Sequence, residues 1–184
     1  MEDKMAYETS RLLAYQTYQH WVSKELFSFG WFLEIIVLTI VYIIWLKLVD
    51  KSNLRNLLLL GALASVGFII ADLVLFNNLG LIEFKIGIFP MIAQIFIVTI
   101  TIVPILFMLV QQYTSSWKGY LLWASIGAAI ISFGLGPIYT TVGIIQLHNW
   151  NFFYQFLLML TGGILSRAAL LWVIGIEQSH STSK

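Results

Sequence analysis

The chain has 184 residues, of which 59% are hydrophobic and only 10% are charged. A water-soluble domain carries about 25% charged residues, so this composition excludes an ordinary soluble protein. Ten Lys and Arg residues stand against nine Asp and Glu residues, and this near balance leaves no basic excess with which to bind nucleic acid. The chain contains no cysteine, which excludes disulfides, thiolate metal sites and thiol chemistry.

Residues 1–26 are predicted to form a polar or amphipathic segment. Leu12, Tyr15, Tyr18 and Trp21 recur among polar residues at mixed spacings of three and four. This pattern favours a helix that lies in the membrane interface. The alternative is a frayed tail with a few exposed aromatic side chains.

Five apolar runs follow, and each approaches the roughly 20 residues that are needed to cross a bilayer. The sequence therefore predicts an all-α fold, a polytopic transmembrane helical bundle over residues 27–176. Its spans are predicted at residues 27–46, 57–76, 91–109, 120–136 and 150–176. Residues 177–184 are predicted to form a polar C-terminal tail. The connection over residues 138–149 is either a surface loop or a segment that re-enters the membrane.

Small residues on two of these spans favour close contact between helices. The second span carries Gly61 and Ser65. On the fourth span, small residues recur every four positions and therefore share one strip of the helix: Ala124, Ala128, Ser132 and Gly136. Pro104 lies inside the third span, where a missing backbone donor predicts a bend or hinge.

Ionisable residues inside the spans are costly, at roughly 2.5–3.5 kcal/mol for an Asp or Arg near the middle of the bilayer. Glu34 follows Trp31 closely, so its side chain is expected to reach headgroup water at little cost. Asp72 lies near the end of the second span, at a depth comparable with Glu34. Two carboxylates in one poorly hydrated region would form a proton-binding site. The alternative for Asp72 is a structural role, in which hydroxyls or an arginine bind its carboxylate.

Arg167 in the last span is expected to lie too deep to reach water, and therefore to face protein. Asp72 is its natural partner by charge, across a gap of roughly one to two helical turns. Gln94, Thr99 and Thr101 on the third span are further polar candidates. A threonine in a membrane helix, however, usually bonds to its own helix.

Basic residues near the span ends predict the orientation, because cytoplasmic loops carry more of them. One side of the predicted topology carries Lys47, Lys51, Arg55, Lys118, Arg167 and Lys184. The other side carries Lys4, Arg11, Lys24 and Lys85. The difference favours a multi-pass cell-membrane protein with its N-terminus outside and its C-terminus in the cytoplasm.

Short motifs in the middle and the C-terminal half resemble a known family. They are Ala71-Asp72-Leu73, Gly80-Leu81, the run from Pro104 to Tyr113, Trp117-Lys118-Gly119, the run from Phe133 to Pro137, His148-Asn149-Trp150, and Arg167. Over residues 54–176 the chain resembles an uncharacterised family of small multi-spanning membrane proteins of spore-forming Gram-positive bacteria. The resemblance implies a bundle of about four or five spans in a bacterial cytoplasmic membrane, and it assigns no role to any residue.

No chemistry-bearing motif points to an enzyme. The three histidines lack metal-ligand spacing and no nucleophile has a nearby base, so neither a metal nor a cofactor is predicted. The leading hypothesis is a non-enzymatic accessory, assembly or sensory subunit that contacts the lipid bilayer and either a membrane protein partner or further copies of itself. The alternative is a small proton- or ion-coupled transporter or channel that uses Asp72, Glu34 and Arg167, with Pro104 as its hinge.

Overall fold

The computed structural model describes residues 2–90 and 98–181. These residues form a helical bundle with one small sheet. The α-helices are α1 (Glu2–His20), α2 (Phe29–Leu48), α3 (Leu54–Asp72), α4 (Val103–Tyr113), α5 (Trp117–Ala129), α6 (Gly136–Val142) and α7 (Phe152–Ser181). The strands are β1 (Ile82–Phe84) and β2 (Ile145–Leu147). Wider π-helical turns cover Trp21–Glu25, Leu73–Asn78, Val98–Ile102 and Ile130–Leu135, and a 3₁₀ turn covers Lys51–Asn53.

The length and apolar composition of the helices indicate a membrane protein. Within the described residues, four helical segments are long and apolar enough to cross a bilayer: Phe29–Leu48, Lys51–Phe76, Trp117–Val142 and Phe152–His180. A shorter apolar helix covers Val98–Tyr113. The N-terminal part of the predicted third span, residues 91–97, lies outside the described residues.

The helix of the predicted fourth span is longer than expected. It does not end before Pro137. The π turn Ile130–Leu135 joins α5 to α6, and the helix continues to Val142. Pro137 lies in the first turn of α6, directly after this π turn and Gly136, and local π adjustments allow a membrane helix to tolerate the backbone bond that a proline removes. Gly143 ends α6 with a φ of +80°, a left-handed conformation that glycine adopts without strain. Residues 138–142 therefore complete α6, and residues 145–147 form β2.

Two connections pair at one end of the bundle. Strands β1 and β2 are antiparallel, with Ile82 opposite Leu147, and we call this two-stranded sheet the cap sheet. The indole N–H of Trp21 donates a hydrogen bond to the Gly87 carbonyl at 2.7 Å, and that of Trp31 donates to the Ile88 carbonyl at 3.2 Å. The segment that precedes α2 is therefore held at the same end as the cap sheet.

The other connections gather at the opposite end, which we call the arginine end. The Gln112 side chain donates to the Leu48 carbonyl at 2.7 Å and accepts from the Asp50 backbone N–H at 2.9 Å. Arg55 forms an ion pair with Glu177 at 3.1 Å. These contacts bring the α2–α3 connection, the end of α4 and the C-terminal part of α7 together.

The core lies where α3, α4, α5 and α7 meet. Leu60, Phe107, Tyr120 and Met159 are all fully buried there. The rings of Phe68 and Phe107 stack almost in parallel, with centroids 6.0 Å apart. Helix α1, by contrast, is exposed over residues 4–20 except at the half-buried Ala14, and none of its residues belongs to this core.

Candidate functional site

Asp72 is buried at the end of α3 that lies next to the cap sheet, with only 4% of its surface exposed. Its Oδ2 accepts a hydrogen bond from the Thr99 hydroxyl, which belongs to the π turn before α4. We expected a threonine here to bond to its own helix, but Thr99 instead bonds across to α3. Among the described residues, Asp72 Oδ1 has neither a hydrogen-bond nor an ion-pair partner.

Asp72 lines a cavity of about 80 Å³ beneath the cap sheet. Most of the wall is aliphatic or aromatic, and the aromatic rings belong to Phe76, Phe84, Tyr139, Trp150 and Phe152. The few polar groups include Gln155, but its Oε1 already accepts a hydrogen bond from the Trp150 indole at 3.1 Å. Asp72 therefore provides an unsatisfied acceptor in a largely apolar space.

Strand β1 provides part of the cavity wall because side chains alternate along a strand. Ile82 and Phe84 line the cavity. Glu83 between them is exposed, and its carboxylate lies 3.1 Å from the imidazole of His148. The cap sheet thus presents an apolar face to Asp72 and a charged face to the outside.

Glu34 is also buried, with 2% of its surface exposed. The expectation that it reaches headgroup water is therefore wrong. Its Oε2 and the Tyr139 hydroxyl are both buried, and neither has a hydrogen-bond partner among the described residues. Glu34 and Tyr139 lie within electrostatic range of each other. Tyr139 consequently borders both the Glu34 side chain and the cavity that contains Asp72.

Arg167 faces protein, as expected, with only 2% of its surface exposed, and it lies at the arginine end. Its guanidinium donates to Thr114 Oγ1 at 3.3 Å and to the Ser115 carbonyl at 3.4 Å, both in the α4–α5 connection. Its Cζ lies 4.4 Å from the ring centroid of Tyr120 and 4.9 Å from that of Trp117.

Asp72 and Arg167 do not form the ion pair that their charges suggested. Gln155 of α7 lines the Asp72 cavity, and Arg167 lies twelve residues farther along this helix, about 18 Å away. The stacked rings of Phe68 and Phe107 lie in the core between these two levels. The two charged residues therefore belong to separate sites.

The strip of small residues on the fourth span packs inside this chain: Ala124, Ala128, Ser132 and Gly136. Both alanines are fully buried. Ser132 Oγ lies 3.5 Å from Met159 Sδ of α7. A Cβ on Gly136 would lie 2.9 Å from ring atoms of Phe152, so glycine permits the close approach of α6 to α7.

The packing residues of the second span contact α4. A Cβ on Gly61 would lie 2.9 Å from Met108 Sδ. Ser65 bonds to its own helix, with its hydroxyl 2.9 Å from the Gly61 carbonyl. Pro104, the predicted hinge, directly follows the π turn Val98–Ile102 and lies in the first turn of α4. Gln94 lies outside the described residues.

Several residues of the two sites were not found by sequence reasoning. Tyr139 lies in the predicted connection over residues 138–149, and Trp150 begins the predicted last span, so nothing marked either of them as a cavity residue. The spacing of Trp117 and Tyr120 could have indicated that both rings belong to one site, because residues three apart share one face of a helix. A comparison of the chain with protein-family models, curated proteins and solved structures finds no match.

Proposed function

We propose that the chain is a non-enzymatic sensory or accessory subunit of a bacterial cytoplasmic membrane, which acts by binding and association and does not conduct a solute. One observation carries this proposal: among the described residues, tightly packed apolar side chains lie between the Asp72 cavity and the arginine end. A receptor-type site needs access from one side only, whereas a channel needs a polar route through the bundle.

The core is closed by tight contacts between rings and glycines. Cβ atoms on Gly162 and Gly163 would collide with the rings of Phe68 and Phe107, respectively. The Tyr120 hydroxyl donates to the Gly163 carbonyl at 2.8 Å, which ties α5 to α7 at this level. Such contacts hold α3, α4, α5 and α7 close together between the Asp72 cavity and the arginine end.

The proposal includes a five-span topology with the N-terminus outside and the C-terminus in the cytoplasm. It is supported by the positions of the connections between helices, because successive connections lie alternately at the cap-sheet end and at the arginine end. The chain contains no cysteine, so single cysteines are clean probes of this topology. Ser52→Cys should react with an impermeant maleimide only after the membrane is opened, whereas Asn149→Cys should react in intact cells. The reverse pattern would contradict the orientation.

We also propose that α1 lies in the membrane interface and that the chain belongs to the family of spore-former membrane proteins that it resembles. Exposed Tyr7, Leu12 and Tyr15 on α1 provide apolar and aromatic groups suited to the headgroup region.

The test of the proposed function combines flux and association. The full chain is reconstituted into liposomes that contain a pH-sensitive dye, and proton flux is measured with imposed gradients of pH and potential. In parallel, the tagged chain is purified from native membranes in mild detergent. We expect no flux above empty liposomes and a partner in reproducible, stoichiometric amount. Flux that is lost in Asp72→Asn but kept in the exposed control Glu83→Gln would overturn the proposal.

The second candidate is the proton- or ion-coupled transporter. It is favoured by the cavity that reaches Asp72 and by the π turn before Pro104, since π turns inside helices often occur at functional sites. In this case the closed core would be one of two alternating states. The flux experiment distinguishes the two candidates directly.

A further inference from the structure

We infer that the cavity beneath the cap sheet binds a small protonated alkylamine, whose ammonium group pairs with Asp72 Oδ1. This inference deepens the proposed binding role by naming the ligand class of the same cavity. The inference depends on the proposed function in one respect: both take the cavity to be a binding site.

The first argument is the missing counter-charge. A buried carboxylate is stable when it is paired and fully hydrogen-bonded, but from the part of the chain that the structure describes Asp72 receives one hydrogen bond, from Thr99. No Lys, Arg or His is among the described residues that line the cavity. An ammonium group would supply both a positive charge and donors to the free carboxylate oxygen.

The second argument concerns the walls, which favour an organic cation over a metal ion. Calcium and magnesium require several oxygen ligands, and among the described residues no three His, Asp or Glu side chains are grouped for a metal. Aromatic faces instead attract organic cations, and aliphatic neighbours cover the alkyl part of such a ligand. Phe76, Phe84 and Trp150 provide the rings on the cap-sheet side.

The third argument sets the size of the ligand. A cavity of about 80 Å³ exceeds the roughly 10–15 Å³ that one water molecule requires in the same measure, so it has room for an ammonium group with a short alkyl chain. Methylammonium and ethylammonium fit this space, whereas tetraethylammonium has no N–H donor for Asp72 Oδ1. A ligand with so few atoms binds with a Kd of about 1 mM at best.

The test uses the purified full chain in a maltoside detergent, which carries no ammonium group of its own. The melting temperature is followed while ethylammonium chloride is raised to about 30 times the expected Kd, against equal concentrations of sodium chloride. We expect a saturable rise with ethylammonium and no corresponding rise with sodium or tetraethylammonium. A rise that is equal for all three salts, or no rise at all, would overturn the inference.

Two variants assign the effect to the cavity. Asp72→Asn should weaken ethylammonium binding about 30-fold or more, because the buried charge pair is lost. Glu83→Gln is the matched control, since it removes an exposed carboxylate on the opposite face of the cap sheet, and its binding should equal that of the wild type. Binding that survives in Asp72→Asn would contradict the inference.

A further variant covers the case in which Asp72→Asn does not fold. Ile145→Trp enlarges a wall residue of the cap sheet without changing the carboxylate, and it should weaken ethylammonium binding at least about tenfold by filling the cavity. Unchanged binding in this variant would place the ligand elsewhere. The binding assay is done in detergent, so its outcome is independent of flux. If the wild-type chain does not bind ethylammonium, the ligand class is refuted. If the chain transports protons in liposomes, the proposed function is refuted.

Discussion

Replacing Gly163 with alanine should destabilise the bundle. A Cβ at this position would lie 2.6 Å from Phe107 Cζ and 2.8 Å from Phe107 Cδ1, well inside van der Waals contact. The Phe107 ring has no room to move, because it is fully buried and stacked on Phe68. The new methyl group must therefore push α7 away from α4.

The magnitude follows from two opposing effects. Overpacking a tight core costs about 1–3 kcal/mol, whereas alanine in place of glycine favours the helical state by up to about 1 kcal/mol. We expect the free energy of unfolding to fall by about 1–2 kcal/mol. Gly175 is the matched control, because it lies on the same helix and a Cβ there would meet no atom within 4 Å. Gly175→Ala should therefore show only the helical gain.

The assay is thermal unfolding of both variants in the same detergent, followed by far-ultraviolet circular dichroism. Gly163→Ala should melt below the wild type, and Gly175→Ala should melt at or above it. If Gly163→Ala melted as high as Gly175→Ala, the Phe107 ring would be free to move. The argument that a closed core separates the two sites would then fail.

Two further predictions concern the arginine end. Arg167→Gln should lower the free energy of unfolding by about 2 kcal/mol, because two cation–π contacts are lost. Arg55→Gln removes only an exposed ion pair and should lower it by no more than about 1 kcal/mol. Equal values in the unfolding assay would contradict the buried role of Arg167. The Ser52 hydroxyl and backbone N–H donate hydrogen bonds that hold the pKa of Asp50 below its ordinary value. The stabilisation by this carboxylate is therefore complete above the ordinary pKa of about 3.9. It is lost as the pH falls through the lowered pKa of the folded protein. Ser52→Ala should raise that pKa, as measured by NMR titration of the Asp50 carboxyl carbon, and an unchanged value would refute the hydrogen-bond explanation.

The helical membrane class was predictable from the sequence because long apolar runs have few other stable conformations in a protein. The run at residues 27–46 coincides closely with α2, which begins after Ser28, whose hydroxyl accepts a hydrogen bond from the Trp31 backbone N–H. Helix ends next to such polar residues carry a local signal. They can therefore be read from a short stretch of sequence.

The functional sites were less predictable because they depend on contacts between distant residues. The cap sheet pairs Ile82 with Leu147, and neither short segment has a strong strand pattern of its own. The continuation of the fourth segment through Pro137 depends on a π turn that has no sequence signature.

The cap sheet also has a consequence for biogenesis. β1 leaves the ribosome long before β2, because the paired residues Ile82 and Leu147 are separated by α4, α5 and α6. During this interval β1 has no partner strand, and the wall that shields Asp72 is incomplete. Insertion of the later helices must deliver β2 to the same side of the membrane before the cavity exists. A chain that stalls before β2 would expose both the unpaired edge of β1 and the uncovered carboxylate of Asp72.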